Sequence, residues 1–207
     1  MAKLINLSHT IVDNMSVHPY DDPVKLYQDK FLETDKYNNF RLEIGMHSGT
    51  HIDTPMHLTD RETLIDEIAL DTFIGNGCLL DLRNEDIITY KEEYSDMVSE
   101  KDIVLLYTNH SSKYGTDEYF TKHPIIDEKL ATFFIEKKIK MLGIDLPSPD
   151  NYPFNIHKML FKHNILIIEN MTNLSKLLSV KSFEVIAFPL KIKAEASMVR
   201  VVAKILT

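Results

Sequence analysis

Cysteine is nearly absent from this 207-residue chain, in which Cys78 stands alone. A single thiol excludes an internal disulfide framework and fits a reducing compartment. It lies in the apolar run Gly77-Cys78-Leu79-Leu80, where a buried, inert thiol is expected. No basic-then-apolar leader opens the sequence, and no apolar run approaches the ~18 residues of a membrane span, so a cytoplasmic protein without a membrane partner is expected. Basic clusters are missing too. With a net charge of −8 and no Lys/Arg run, the chain gives no support to a nucleic-acid partner. Repeats, low-complexity segments and linker-like stretches are also lacking, so one domain over residues 1–207 is expected, long enough to bury a substantial core.

What the chain has instead is a concentration of ligand-type side chains. His47, His51, Asp53 and His57 fall within eleven residues, all at odd positions. An extended backbone sends alternate side chains to opposite faces, so all four would point one way. A helix is disfavoured by Gly49 and Pro55, and by the β-branched Thr50, Ile52 and Thr54. Four residues of strand span ~13 Å, a long reach for two imidazoles on one ion. A bend at Gly49 would bring His47 and His51 together. Neutral imidazole and carboxylate suit zinc, manganese or iron. Two histidines and one aspartate leave coordination positions for water, as a catalytic site requires. The competing reading is a polar turn with incidental histidines, which three of them on one face make the weaker.

Hydrophobic patterning supplies a frame. Residues 40–46 alternate Phe40, Leu42, Ile44 and Met46 against polar or small residues, predicting a half-buried strand that feeds the cluster. Residues 77–82, 103–108, 141–145 and 165–170 read as further strands, the last carrying Glu169. Asp127 is placed to cap a helix through Lys138, with Leu130, Phe133 and Phe134 as its buried stripe. Asn155 opens another helix, carrying His157. Residues 173–178 read as a short helix with Thr172 as cap, and residues 183–192 and 198–206 as a closing strand pair. His110 and His123 lie in a loop and read as surface residues. Asp145 and Asp150 read either as pocket floor or as solvated turn, and His18 and Tyr20 either as loop surface or as pocket lining.

The run from His47 to His57 resembles the His-x-Gly-Thr-His-x-Asp-x-Pro-x-His signature of the cyclase family of metal-dependent hydrolases, which includes bacterial kynurenine formamidases and isatin hydrolases. Gly143-Ile144-Asp145-Leu146-Pro147-Ser148-Pro149-Asp150 is similar to a second family passage, and Arg200 matches a family arginine. The resemblance spans about residues 4–206. It implies an α/β fold with a β-rich, barrel-like mixed sheet and flanking helices. It also implies a divalent metal, zinc or manganese, two ions per subunit. His47, His51 and Asp53 would hold one, Asp53 would bridge, and His157 with Glu169 would hold the second. His57, off the metal in relatives, would serve as general acid/base, with a further metal ligand as its alternative role.

The implied activity is hydrolysis of a formamide-type amide by a metal-activated water. Opening of a cyclic amide or lactone is the alternative, and a non-catalytic metal- or small-molecule-binding protein is the alternative of another class. Kynurenine formamidases resemble one another in a Trp before the first loop proline. This chain has His18 there and no Trp at all, which keeps both substrate classes open and makes His18 a substrate-binding candidate. The family's usual assembly implies a homodimer or homotetramer acting on a small molecule.

Overall fold

The computed structural model describes residues 3–206. Its strands are β1 (Leu4–Asn6), β2 (Lys25–Lys30), β3 (Asn39–Glu43), β4 (His51–Asp53), β5 (Ile74–Asp81), β6 (Ile87–Ile88), β7 (Ile103–Tyr107), β8 (Ile125–Ile126), β9 (Met141–Ile144), β10 (Leu166–Glu169), β11 (Phe183–Ile186), β12 (Ala196–Met198) and β13 (Val202–Ile205). Its α-helices are α1 (Leu32–Asp35), α2 (Tyr94–Met97), α3 (Asp117–Thr121), α4 (Glu128–Lys137) and α5 (Asn155–Lys162).

Nine strands form one mixed sheet in the order β1-β13-β11-β5-β7-β9-β10-β4-β12, curved into a half-barrel. The α/β, β-rich architecture expected from the sequence is therefore what the chain adopts. Its centre, β5-β7-β9-β10, is parallel, and both flanks are antiparallel. Parallel strands are covered on both faces and read as unbroken apolar runs. Every residue of β7, β9 and β10 is accordingly buried. Leu80, Leu106, Leu142 and Ile167 pack on one face with Leu130 and Phe134 of α4 and Leu160 and Phe161 of α5. Ile103, Leu105, Met141 and Ile168 pack on the other, with Ile52, Phe73 and Val185. Helix α4 starts where the sequence places it: the Asp127 carboxylate accepts the Leu130 amide at 2.9 Å.

Three local expectations need correction. The alternating stretch at residues 40–46 is a strand only over Asn39–Glu43, and it is exposed on both faces. It pairs with β2 as a separate two-stranded sheet, so its apolar side chains meet solvent rather than the main core. Residues 173–178 form a 3-10 turn whose first-turn cap position is Asn173, in a left-handed conformation without a side-chain cap; Thr172 does not cap it. His110 is buried, with its Nε2 2.9 Å from the Tyr119 carbonyl, so it is not a surface residue. Its tautomer is set by that acceptor.

Candidate metal centre

The ligand-type residues lie at the carboxyl-terminal end of β10 and across β4, its antiparallel neighbour. Register explains the arrangement. Glu169 stands opposite His51, and Ile167 opposite Asp53. Paired residues share a face, so Glu169, His51 and Asp53 all project to the side covered by α5. Ile52, between them, goes to the opposite face and is fully buried in the core there. His157 comes from the first turn of α5 and meets the carboxylates from above.

Two groups of side chains could each hold an ion: His47, His51 and Asp53, and then Asp53, His157 and Glu169, with the ligand atoms of each group within 4.8 Å of one another. Asp53 belongs to both. His47 Nδ1 lies 2.9 Å and His51 Nε2 3.2 Å from Asp53 Oδ1. His51 Nε2 is also 3.5 Å from Glu169 Oε2, and His157 Nε2 is 3.2 Å from Glu169 Oε1. His47 precedes the strand, in a turn rather than in extended backbone. Gly49 makes the expected bend with φ +65°, a conformation that costs glycine little.

Each buried imidazole has its far nitrogen engaged. His51 Nδ1 is 2.8 Å from the Gly49 carbonyl and donates to it. His157 Nδ1 is 2.6 Å from Asp150 Oδ1, and the other Asp150 oxygen accepts the Ile156 amide at 2.6 Å. Such partners fix the tautomer and leave Nε2 facing the ligand position. Asp150 is therefore a buried orienting group rather than a solvated turn residue. Asp145 is also fully buried, where it accepts the Thr108 amide and hydroxyl, joining the ends of β7 and β9.

The donor set fits a divalent cation. His51 Nε2 and Asp53 Oδ1 are both buried and neither makes a hydrogen bond, although they are 3.2 Å apart. They converge without the alignment a hydrogen bond requires, as two ligands of one ion do. The electrostatics agree. Burial opposes charge on His51, but Asp53 and Glu169 outweigh it and raise the imidazole well above its usual range. Burial likewise opposes charge on His157, yet Asp150 and Glu169 push it up to about 9. His47 is raised by Asp53 against its own burial. Asp53 is held well below the carboxylate range: burial alone would raise it, but His51 and His47 prevail. Glu169 is also lowered, by His157 and His51 against burial and the Asp53 charge. Buried carboxylates at this position demand positive charge.

His57 behaves differently. It sits half-buried in the 3-10 turn Pro55–His57, its ring 4.1 Å from that of His47 and 6.4 Å from that of His157. It belongs to neither ligand group. Burial lowers its pKa, so the ring is neutral at pH 7. His18 is exposed, edge-on to Phe120 at 5.9 Å and near Tyr20 at 5.4 Å. Tyr20 in turn lines a cleft of 390 Å³ that runs past Asp21, Asp22 and Glu43 to Met46 and His47. Two participants had no reading of their own in the sequence. Glu195 places Oε1 3.3 Å from His47 Nε2, from a turn far along the chain, and no local pattern signals that. The Gly49 carbonyl is a main-chain group, and no side-chain pattern signals it.

Comparison with known proteins places the chain. The Cyclase family model matches residues 5–151, well over half of the sequence. The chain belongs to the cyclase family. It is 29% identical to a kynurenine formamidase of Bacillus cereus over 209 residues, covering 98% of each, and 28% identical to one from Bacillus anthracis, again covering 98% of each. Among solved structures it matches an isatin hydrolase bound to the product analogue thioisatinate, with a TM-score of 0.89 at 18% identity over 100% of this chain and 93% of the other. It also matches a protein described as a potential metal-dependent hydrolase with cyclase activity, at 25% identity and a TM-score of 0.81, covering 100% of both chains.

Proposed function

We propose that this protein is a metal-dependent hydrolase of a small molecule, cleaving an amide C–N bond of the formamide type. One observation carries the reading: two segments a hundred residues apart bring four ligand-type side chains, His47, His51, His157 and Glu169, around a shared carboxylate, Asp53. His47, His51 and Asp53 would hold one divalent ion, zinc or manganese, and Asp53, His157 and Glu169 a second. When bound, such an ion would polarise a carbonyl and lower the pKa of its water to about 7.

The chain's own groups do the rest. His57 is neutral and half-buried beside His47, so it can take a proton from the attacking water and return it to the leaving nitrogen. Asp150 keeps the His157 ring in one orientation through that cycle. The cleft beside His47 would admit a small substrate against Tyr20, which lines it, with His18 behind Tyr20. A homodimer or homotetramer in the cytoplasm belongs to the same reading, which sedimentation and fractionation would check.

A second reading, opening of a cyclic amide or lactone, stays open because His18 stands where kynurenine formamidases carry a tryptophan and the sequence has no Trp. The test is turnover of formyl-anilides, lactams and lactones by protein stripped of metal and reloaded with zinc or manganese. Metal-dependent hydrolysis of the formyl-anilides supports the first reading, and of the ring substrates the second. Tight metal binding with no hydrolysis of any class would replace both with a binding protein.

A further inference from the structure

Directly after Glu169, the chain enters a left-handed conformation at Asn170, φ +54°. Asparagine tolerates that region better than other side-chain-bearing residues. Asn170 is buried, and every polar group of it is used. Its amide nitrogen donates to the Leu146 carbonyl at 2.9 Å. Its own carbonyl accepts the Thr50 hydroxyl at 2.6 Å. Its side-chain Nδ2 donates to the Gly49 carbonyl at 3.0 Å, and its Oδ1 accepts the Tyr119 hydroxyl at 2.8 Å.

The Gly49 carbonyl thus takes two hydrogen bonds, from Asn170 Nδ2 and from His51 Nδ1. An amide oxygen turned toward it would set acceptor against acceptor, so only Nδ2 can face Gly49. Oδ1 must then face Tyr119, whose hydroxyl must donate. Burial raises that phenol well above its usual range, so it stays a donor. A residue with a Cβ at position 49 would sit 3.0 Å from the Met15 Cε and in a strained backbone, so this carbonyl is presented by glycine.

We infer that Asn170 is a positioning residue: its side-chain amide, anchored by Tyr119, fixes the Gly49 carbonyl as the acceptor of the His51 Nδ1–H and so aims His51 Nε2 at Asp53 and Glu169. The inference rests on the reading of His51 as a metal ligand. It also explains how the two halves of the site keep their spacing, since Asn170 is covalently next to Glu169 and hydrogen-bonded to the segment carrying His51.

The test uses Asn170→Gly, which suits the backbone conformation, Asn170→Asp, which keeps the shape but loses the donor, and Tyr119→Phe, which touches no ligand. Two quantities are read: solvent exchange of the His51 Nδ1–H by ¹⁵N NMR in metal-free protein, and zinc affinity by chelator competition. Both Asn170 variants should speed exchange at least about 10-fold and weaken zinc about 10–100-fold, as loss of an outer partner does. Tyr119→Phe should move both in the same direction by less. A merely structural role would lower the melting temperature and leave exchange and affinity within about twofold of wild type, which overturns the inference. If the Asn170 variants fail to fold, Tyr119→Phe decides by the same criteria. If wild-type protein binds neither zinc nor manganese, the metal reading fails, while the exchange rates still judge Asn170.

Discussion

His57 and His51 stand six residues apart in one motif, yet their surroundings differ. His51 is buried, its Nδ1 held by Gly49 and its Nε2 among carboxylates, whereas His57 is half-buried, neutral and tilted beside the His47 ring. His57→Ala should therefore keep its metal and lose about 10²–10⁴-fold in turnover. His51→Ala should lose both. Equal metal loss in the two variants, by elemental analysis, would make His57 a ligand. The His-x-Gly-Thr-His-x-Asp-x-Pro-x-His spacing made these residues legible as a local motif, but the two-residue strand period applies only to His51 and Asp53: His47 lies in a turn and His57 in a 3-10 turn. Glu195 and the Gly49 carbonyl were not legible, because one arrives through tertiary folding and the other is backbone. His9 offers a residue-scale check away from the centre. Its ring stacks on Tyr114 at 3.8 Å, and burial lowers its pKa to about 4. The unfolded chain would bind that proton near pH 6.5. The stability His9 contributes is thus complete above about pH 6.5 and is lost as pH falls toward about 4. Urea midpoints of wild type should drop more than those of His9→Gln over that window; parallel curves would contradict the assignment.

At the scale of elements, the strands that hold the site were readable where burial on both faces leaves an unbroken apolar run, as in β7, β9 and β10. Helix α4 was readable from its cap and stripe. Asp127→Ala removes the acceptor of the Leu130 amide and should cost about 1 kcal/mol of stability, measured by urea denaturation. A change near zero would mean that solvent replaces the cap fully. The hairpin of β2 and β3 shows where patterning stops. Alternation at Phe40 and Leu42 correctly marked a strand but not the surface it would meet, and both side chains are exposed. Periodicity encodes backbone conformation and relative face; which partner covers that face is set by the rest of the fold.

For the whole molecule, the decisive feature is the register of β4 against β10. It puts His51 opposite Glu169 and lets α5 deliver His157 onto the same carboxylates. That pairing joins residues 118 positions apart, so no window of sequence contains it; the family signature implied it, and the geometry supplies its physical basis. Because Asp53 belongs to both ligand groups while Glu169 belongs to one, the two positions respond differently to neutral isosteres. The central claim is tested most directly by metal titration of wild type, Asp53→Asn and Glu169→Gln, with bound ions counted per chain. The account predicts that Asp53→Asn abolishes tight binding altogether and that Glu169→Gln retains the ion held by His47, His51 and Asp53. Wild-type stoichiometry and affinity in Asp53→Asn would contradict it.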